Sequence, residues 1–130
     1  MATLTAKLSL TSQNATSSTL NLNVSDVMTV GNPITGLSKV TATTTGNETI
    51  ILSSHSSIRY LFLKHTGLDS SDAKTTSNLE VEIENGKSFA ELGPGEFLWV
   101  PVGQNSGSVL VQLEAVSGTV VAEYAYFTKS

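Results

Sequence analysis

Apolar and polar residues alternate along most of this chain. In the segment from Asn78 to Glu84, every second position holds Leu, Val or Ile, and the position after each of them holds Glu. A two-residue period places successive side chains on opposite faces of an extended strand, so it predicts a strand with one apolar face. The same period recurs from the first residues to the last, and no segment shows a helical period.

The alternating segments predict nine or ten short strands, which favours a sandwich or a barrel. Turn-forming residues separate the strands, with Asn85-Gly86 as the strongest hairpin signal and Gly93-Pro94-Gly95 as another turn. We expect an all-β fold, a single-domain antiparallel β-sandwich over residues 1–130 that is jelly-roll-like or immunoglobulin-like. The Cys and Trp spacing of true immunoglobulin domains is absent. The predicted strands span residues 4–10, 20–25, 37–44, 49–53, 58–65, 78–84, 87–92, 96–102, 108–114 and 120–127.

The fifth and eighth of these strands are apolar on both faces. Ile58, Tyr60 and Phe62 share one face of the fifth strand, whose other face carries leucines. Phe97 and Trp99 share one face of the eighth strand, opposite Leu and Val. An isolated sandwich leaves the outer face of each sheet in water, so these two strands require a second cover.

Two kinds of cover are open. The long polar loop Thr66–Ser77 could fold over the outer faces, or the outer faces could meet another subunit in a homo-oligomer. Aromatic side chains dominate the energetics of protein interfaces. The second alternative therefore predicts an interface that contains Ile58, Tyr60, Phe62, Phe97 and Trp99.

Composition and charge exclude several functional classes. The chain has 130 residues, no Cys, and a net charge of −4, so disulfides and thiolate chemistry are excluded. Its seven Lys and Arg residues do not cluster, which argues against nucleic-acid binding. The N-terminal residues alternate instead of forming an apolar core, and no apolar run is long enough for a membrane helix. We therefore expect no signal peptide, no nucleic-acid partner and no membrane partner.

The residues that could carry chemistry are few and isolated. His55 and His65 lack the further ligands that a zinc site needs, and we interpret both as strand-end residues. The alternating glutamates of 78–84 are interpreted as a solvent-facing stripe, because glycoside hydrolysis needs a cleft and a desolvated carboxyl. Asp69 and Asp72 lie in a polar loop without a calcium-binding pattern. The sequence therefore predicts no enzyme, no catalytic residue, no metal and no cofactor.

Several segments together carry a resemblance. An alternating Thr/Ser/Leu strand opens the chain, and an aromatic strand that ends in a polar turn follows at residues 58–67. A segment with the motif Leu-x-Pro-Gly-Glu-aromatic lies at residues 92–101. A Val/Tyr-rich strand follows at 120–127. In this order of features the chain resembles small β-sandwich virion proteins of tailed bacteriophages, marine phages in particular.

The resemblance implies a non-enzymatic structural protein of the virion, assembled in the host cytoplasm. A capsid decoration or cement protein is the first expectation. Its partners would be the major capsid protein or other virion proteins, together with further copies of itself, a trimer being one possibility. A tail or fibre-attachment protein is the alternative within the same resemblance.

A carbohydrate-binding module is the main alternative outside that family. Sugar-binding sandwiches stack aromatic rings on their ligands, and Tyr60 and Trp99 are the rings that could do so. Tyr124 and Tyr126 are expected to face the core. A bacterial adhesin would need a secretion signal, which the sequence does not predict.

Overall fold

In the part of the chain that the computed structural model describes, the helix and strand elements are all β-strands. The described residues are 2–31, 37–44, 49–52, 58–83, 87–102 and 111–128. Within these ranges no helix is long and apolar enough to cross a membrane. The strands are β1 (Ala2–Ser12), β2 (Leu20–Val30), β3 (Ser38–Ala42), β4 (Thr49–Leu52), β5 (Ile58–His65), β6 (Leu79–Ile83), β7 (Ser88–Leu92), β8 (Phe97–Pro101), β9 (Val111–Ala115) and β10 (Val120–Thr128).

Eight of the strands form two four-stranded sheets, with the orders β3-β10-β5-β8 and β4-β9-β6-β7. Every pairing between them is antiparallel. The pairs β6–β7, β5–β8, β4–β9 and β3–β10 are nested, as if one long hairpin had been rolled into two layers. This is the strand order of a jelly roll, so the predicted antiparallel sandwich is confirmed, and the jelly-roll alternative describes it.

The core lies between the two sheets and follows from the alternation. Leu61 and Leu63 of β5 are fully buried, as are Val81 of β6 and Leu113 of β9. Tyr124, like Tyr126 two residues later, packs against this core, as expected from its position on β10. Since side chains alternate along each strand, the residues between these positions lie on the outer faces of the sheets.

The remaining strands, β1 and β2, form a separate two-stranded sheet, which we call the arm. Their register is continuous from Ala2 opposite Val30 to Ser12 opposite Leu20. At its base Met28 and Val30 are buried, whereas most of the arm is exposed. β2 continues five positions beyond the predicted strand, to the buried base, although Asp26 and Val27 interrupt the alternation.

Gly31 joins the arm to the sandwich at a close approach of two backbones. Its N–H donates a 3.0 Å hydrogen bond to the carbonyl of Thr128 at the end of β10. A Cβ atom at this position would lie 2.6 Å from the Thr128 hydroxyl oxygen, so only glycine fits without displacing that side chain.

Some sequence predictions fall outside the described residues. These are the Asn85-Gly86 turn, Glu84, His55 and the first part of the ninth predicted strand. The Gly93-Pro94-Gly95 turn is described, and Gly95 adopts the left-handed conformation that glycine favours, with φ of 84°.

Candidate functional site

The outer face of the β3-β10-β5-β8 sheet carries a group of large rings. Phe62 of β5 lies opposite Trp99 of β8, and Tyr60 lies opposite Phe127 of β10. Phe97, at the start of β8, is on the same face and is 61% exposed. We call these five residues the aromatic cluster.

The rings in the centre of the aromatic cluster contact one another. Tyr60 and Trp99 are stacked, with ring centroids 5.5 Å apart and an interplanar angle of 10°. Trp99 and Phe127 are tilted by 45° at 5.8 Å. Such pairs contribute about 0.5–1.5 kcal/mol beyond the area that they bury. The cluster is therefore a preformed surface. Tyr60, Phe62, Trp99 and Phe127 are partly accessible, and Phe97 is exposed.

Ile58 does not belong to this face, although it was predicted to share it with Tyr60 and Phe62. It is 3% exposed and packs in the core. The physical reason is a register shift: Phe127 pairs with Tyr60, but the next residue, Thr128, pairs with Ile58. The extra residue in β5 is a β-bulge, which reverses the face of every side chain beyond it.

The arm has one apolar and one polar face. Directly opposed residues of an antiparallel pair share a face, and the opposed pairs Leu8–Val24 and Leu10–Leu22 are apolar. The pair Ser9–Asn23 between them represents the polar face. The apolar arm face consists of Leu4, Ala6, Leu8, Leu10, Leu20, Leu22, Val24 and Met28. Asp26, opposite Ala6, is the one charged residue on this face.

Most of the apolar arm face is in contact with water. Leu8 and Leu10 are each 44% exposed, Leu22 is 41% exposed and Val24 is 51% exposed. Isolated apolar residues at a surface are normal, but a row of exposed apolar residues on one face of a hairpin is characteristic of an interaction site.

The arm and the aromatic cluster face each other across a groove of about 620 Å³. The walls are apolar except for two charged residues of the arm. The groove is lined by Ala6, Lys7, Leu8, Val24 and Asp26 of the arm and by Phe62, Phe97, Leu98 and Trp99 of the sheet.

The loop Thr66–Ser77 lies at another place in the fold. Its hydrogen bonds join it to the start of β10, through Thr66 N–H to the Val121 carbonyl and Val121 N–H to the Leu68 carbonyl. In the described structure it is the arm that stands over the aromatic cluster. This loop therefore does not cover the outer face of β5. The arm covers that face partly, which was not predicted from the sequence.

His65 is buried at the end of β5 with both ring nitrogens engaged. The Gly67 N–H donates to Nδ1 at 2.9 Å, so Nε2 carries the proton and donates to the Ser77 carbonyl at 2.8 Å. This histidine fixes the two ends of the 66–77 loop to the core. Its ring has no lone pair left for a metal ion or for proton transfer in this arrangement.

The glutamate stripe is not the solvent-facing stripe that the alternation suggested. Glu82 is 3% exposed and Glu114 is 9% exposed, and both have interaction partners. Glu80 lies opposite Glu114 on the neighbouring strand, and the carboxylates of the three residues approach within 4.8 Å of one another. The prediction failed because alternation assigns a side chain to a face without revealing what lies over that face. Within the described ranges, this is the group whose oxygens could hold a hard cation.

Asp69 organises its own loop. One carboxylate oxygen accepts hydrogen bonds from the Ser71 N–H at 2.8 Å, the Ser71 hydroxyl at 2.9 Å and the Ala73 N–H at 3.0 Å. The backbone hydrogen bonds to Ser71 and Ala73, followed by the Ser71 hydroxyl, lower the pKa of this exposed carboxyl. Asp72 adopts φ of 61°, as Asp does in tight turns. The loop is thus folded around the Asp69 carboxylate.

Comparison with protein-family models, with curated proteins and with solved structures gives no match for this chain.

The arm is the part of the candidate site that sequence reasoning missed. The strands were predicted, but their role as a wall of the groove was not. One signal was available: residues 8–25 contain no charged side chain, although the protein as a whole has 11 Asp and Glu and seven Lys and Arg.

Proposed function

We propose that this protein is a non-enzymatic structural protein of a virion, a capsid decoration protein that binds the outer surface of a phage head. The observation that carries the proposal is the groove, with the apolar arm face on one side and the aromatic cluster on the other. Both walls leave large apolar side chains in water, which is typical of a surface that another protein covers.

The charge distribution supports this role. The walls of the groove contain one cation and one anion, Lys7 and Asp26. Surface ion pairs contribute little to binding, so recognition at this groove depends on shape and apolar contact. The partners that fit are the major capsid protein, other virion proteins and further copies of this chain. Strand pairing along the two open edges of the arm offers a second mode of attachment.

The tail or fibre-attachment alternative uses the same surface. The carbohydrate-binding alternative is less well supported, because Tyr60 and Trp99 stack on each other instead of presenting a shared flat platform for a sugar. For this reason we expect the full-length protein to bind no glycan on an array.

The proposal is tested on particles purified by density gradient from the source culture. Gold-labelled antibody against the full-length protein is expected to mark the head surface in electron micrographs. Label on tails or fibres would favour the attachment alternative, and particles without label would contradict a virion role.

A binding experiment then tests the surface. Heads that lack the protein should bind the wild type and the variant Val27→Thr, whose substitution lies on the polar face of the arm. Binding by Phe97→Thr should be weaker by about tenfold or more, because an exposed ring at the groove is removed.

A further inference from the structure

The groove is an incomplete interface within a single chain. Leu8 and Val24 on one wall and Phe97 on the other remain 44%, 51% and 61% exposed, although the walls face each other. Protein interiors and stable interfaces are close-packed, with few voids larger than a water molecule. A gap of about 620 Å³ between two apolar walls therefore has room for side chains from elsewhere.

The end of the arm is itself an apolar surface without a partner. Beyond the pair Leu8–Val24, which lines the groove, the pair Leu10–Leu22 follows toward the tip, and Leu20 lies opposite Ser12. Leu10 and Leu22 are 44% and 41% exposed. We call Leu10, Leu20 and Leu22 the arm tip.

The arm tip is chemically suited to an apolar groove. No residue between positions 8 and 25 is charged, so insertion of the arm tip takes no charged group of the tip itself out of water. A cavity of ~150 Å³ accommodates a group the size of benzene, so the groove has room for three leucine side chains. In a protein with a net charge of −4, the uncharged tip is also the part that can approach a second copy without repulsion.

We propose that the arm tip of one copy docks in the groove of a second copy, and that the contact is reciprocal about a two-fold axis. This inference deepens the proposed function and rests on its premise that the groove is an assembly surface. It identifies one occupant, a second copy of this chain, and the segment of that copy that enters.

The area needed for a stable dimer favours the reciprocal arrangement. The arm tip exposes on the order of 200 Å² of apolar surface, whereas a stable interface buries roughly 800 Å² on each partner. Contact between two tips alone would fall well short of that. In the reciprocal arrangement each copy contributes its tip and its groove to the same interface, because a two-fold axis repeats every contact.

Sedimentation equilibrium of the full chain measures the association directly. The wild type is expected to form a dimer as concentration rises. The double variant Leu10→Thr/Leu22→Thr and the groove variant Phe97→Thr should each raise the dissociation constant by about tenfold or more. Threonine is used because it suits a strand, which preserves the hairpin.

Val27→Thr is the control on the opposite face of the arm. Val27 is 64% exposed and lies opposite Thr5 on the polar face of the same arm. Replacing one of its methyl groups by a hydroxyl should leave the dissociation constant within about twofold of the wild type. An equal effect of Val27→Thr and the tip variant would contradict a specific role for the apolar arm face.

Cross-linking tests the geometry in an otherwise unchanged chain. Since the protein has no Cys, Leu10→Cys and Phe97→Cys each introduce a single thiol. When the two variants are mixed and oxidised, the disulfide between one copy of each should exceed the two like-with-like products. Predominant linkage of Leu10→Cys to itself would indicate tip-to-tip contact and overturn the proposal. Circular dichroism checks that each variant keeps the strand content of the wild type.

The outcomes separate this inference from the proposed function. A wild type that stays monomeric at the highest attainable concentration overturns the inference, while binding to heads still tests the virion role. A particle of three chains with the mixed disulfide would indicate a head-to-tail ring and overturn the reciprocal contact. A dimer with the mixed disulfide but no binding to any particle would leave the inference standing and contradict the proposed function.

Discussion

The arm and the jelly-roll body are built from the same sequence pattern with opposite results. In the body, Leu61 and Leu63 of β5 alternate with outward residues and are completely buried. In the arm, Leu8 and Leu10 alternate in the same way and remain almost half exposed. Alternation thus determines which face of a strand is apolar, and only the packing of a second layer determines whether that face leaves water.

The largest difference between the arm and the body should be the frequency with which their backbone hydrogen bonds open locally. A two-stranded hairpin is marginally stable in water, whereas β5 and β9 lie in the interior of their sheets. In dilute solution we expect the amides of the arm to exchange with deuterium at least ~100-fold faster than those of β5 and β9. Hydrogen exchange followed by mass spectrometry measures this, and equal protection of both regions would show that the arm belongs to the cooperative core.

Equivalent leucine substitutions should sharpen the contrast. Leu63→Ala removes a fully buried side chain and should lower the free energy of unfolding by about 2–5 kcal/mol. Leu10→Ala, on the arm, should cost only about 0.5 kcal/mol in dilute protein. Urea denaturation gives both values. Similar losses would mean that the arm face is covered in the monomer.

Substitution of the buried His65 compares a buried and an exposed polar position in the same way, through the free energy of unfolding. His65→Leu keeps the volume of the side chain but leaves the Gly67 N–H and the Ser77 carbonyl without their partner. We expect a loss of roughly 2–4 kcal/mol, since each unsatisfied buried group costs about 1–3 kcal/mol. The control is Lys64→Leu, at the exposed neighbouring position, which should change stability by no more than about 0.5 kcal/mol.

The smallest effect on stability is expected in the 66–77 loop of the body, at Asp69. Hydrogen bonds lower the pKa of Asp69 in the folded state, so its stabilising contribution is present above the unfolded pKa of about 3.9. It is lost as the pH falls through the lowered folded pKa. Between pH 6 and pH 2, the melting temperature of Asp69→Asn should therefore fall less than that of the wild type.

Ser71→Ala is the companion variant for that measurement. It removes one of the donors to the Asp69 carboxylate and keeps the two backbone donors. Its melting temperature should depend on pH to a degree between the wild type and Asp69→Asn. A pH dependence of Asp69→Asn identical to that of the wild type would show that this carboxylate does not contribute.

Strand positions could be predicted from the sequence, because period-two alternation is a local property. β5 was predicted with its observed bounds, Ile58–His65. The sandwich could be predicted from the number of strands. The pairing of β6 with β7 could also be predicted, from the hairpin signal between them. The long-range partners could not, because β3 pairs with β10 and β4 with β9 across most of the chain, and such pairs have no signature in single segments.

The failures in the candidate site have specific causes. Ile58 turned inward because a bulge opposite Phe127 and Thr128 shifted the register, and a bulge leaves the alternation in the sequence unchanged. Glu82 is buried, because alternation assigns a side chain to a face of the sheet and does not determine how accessible it is there. That Tyr60 and Phe62 share one face, and that Phe97 and Trp99 share another strand's face, could be predicted from alternation. Phe127 was not among the predicted residues, because its place beside Tyr60 depends on the pairing of β10 with β5.

The nested pairing of the body also has a consequence for how the chain folds. β6 and β7 are close neighbours along the chain, while β3 and β10 lie near opposite ends of the body, with β5–β8 and β4–β9 between these extremes. Closing a longer loop costs more conformational entropy, so each pair forms most readily after the pair nested inside it. We therefore expect β6 and β7 to pair first and the other pairs to form in order outward from them. The pairing of β3 with β10 should form last, and it joins β10 to the strand that follows the arm.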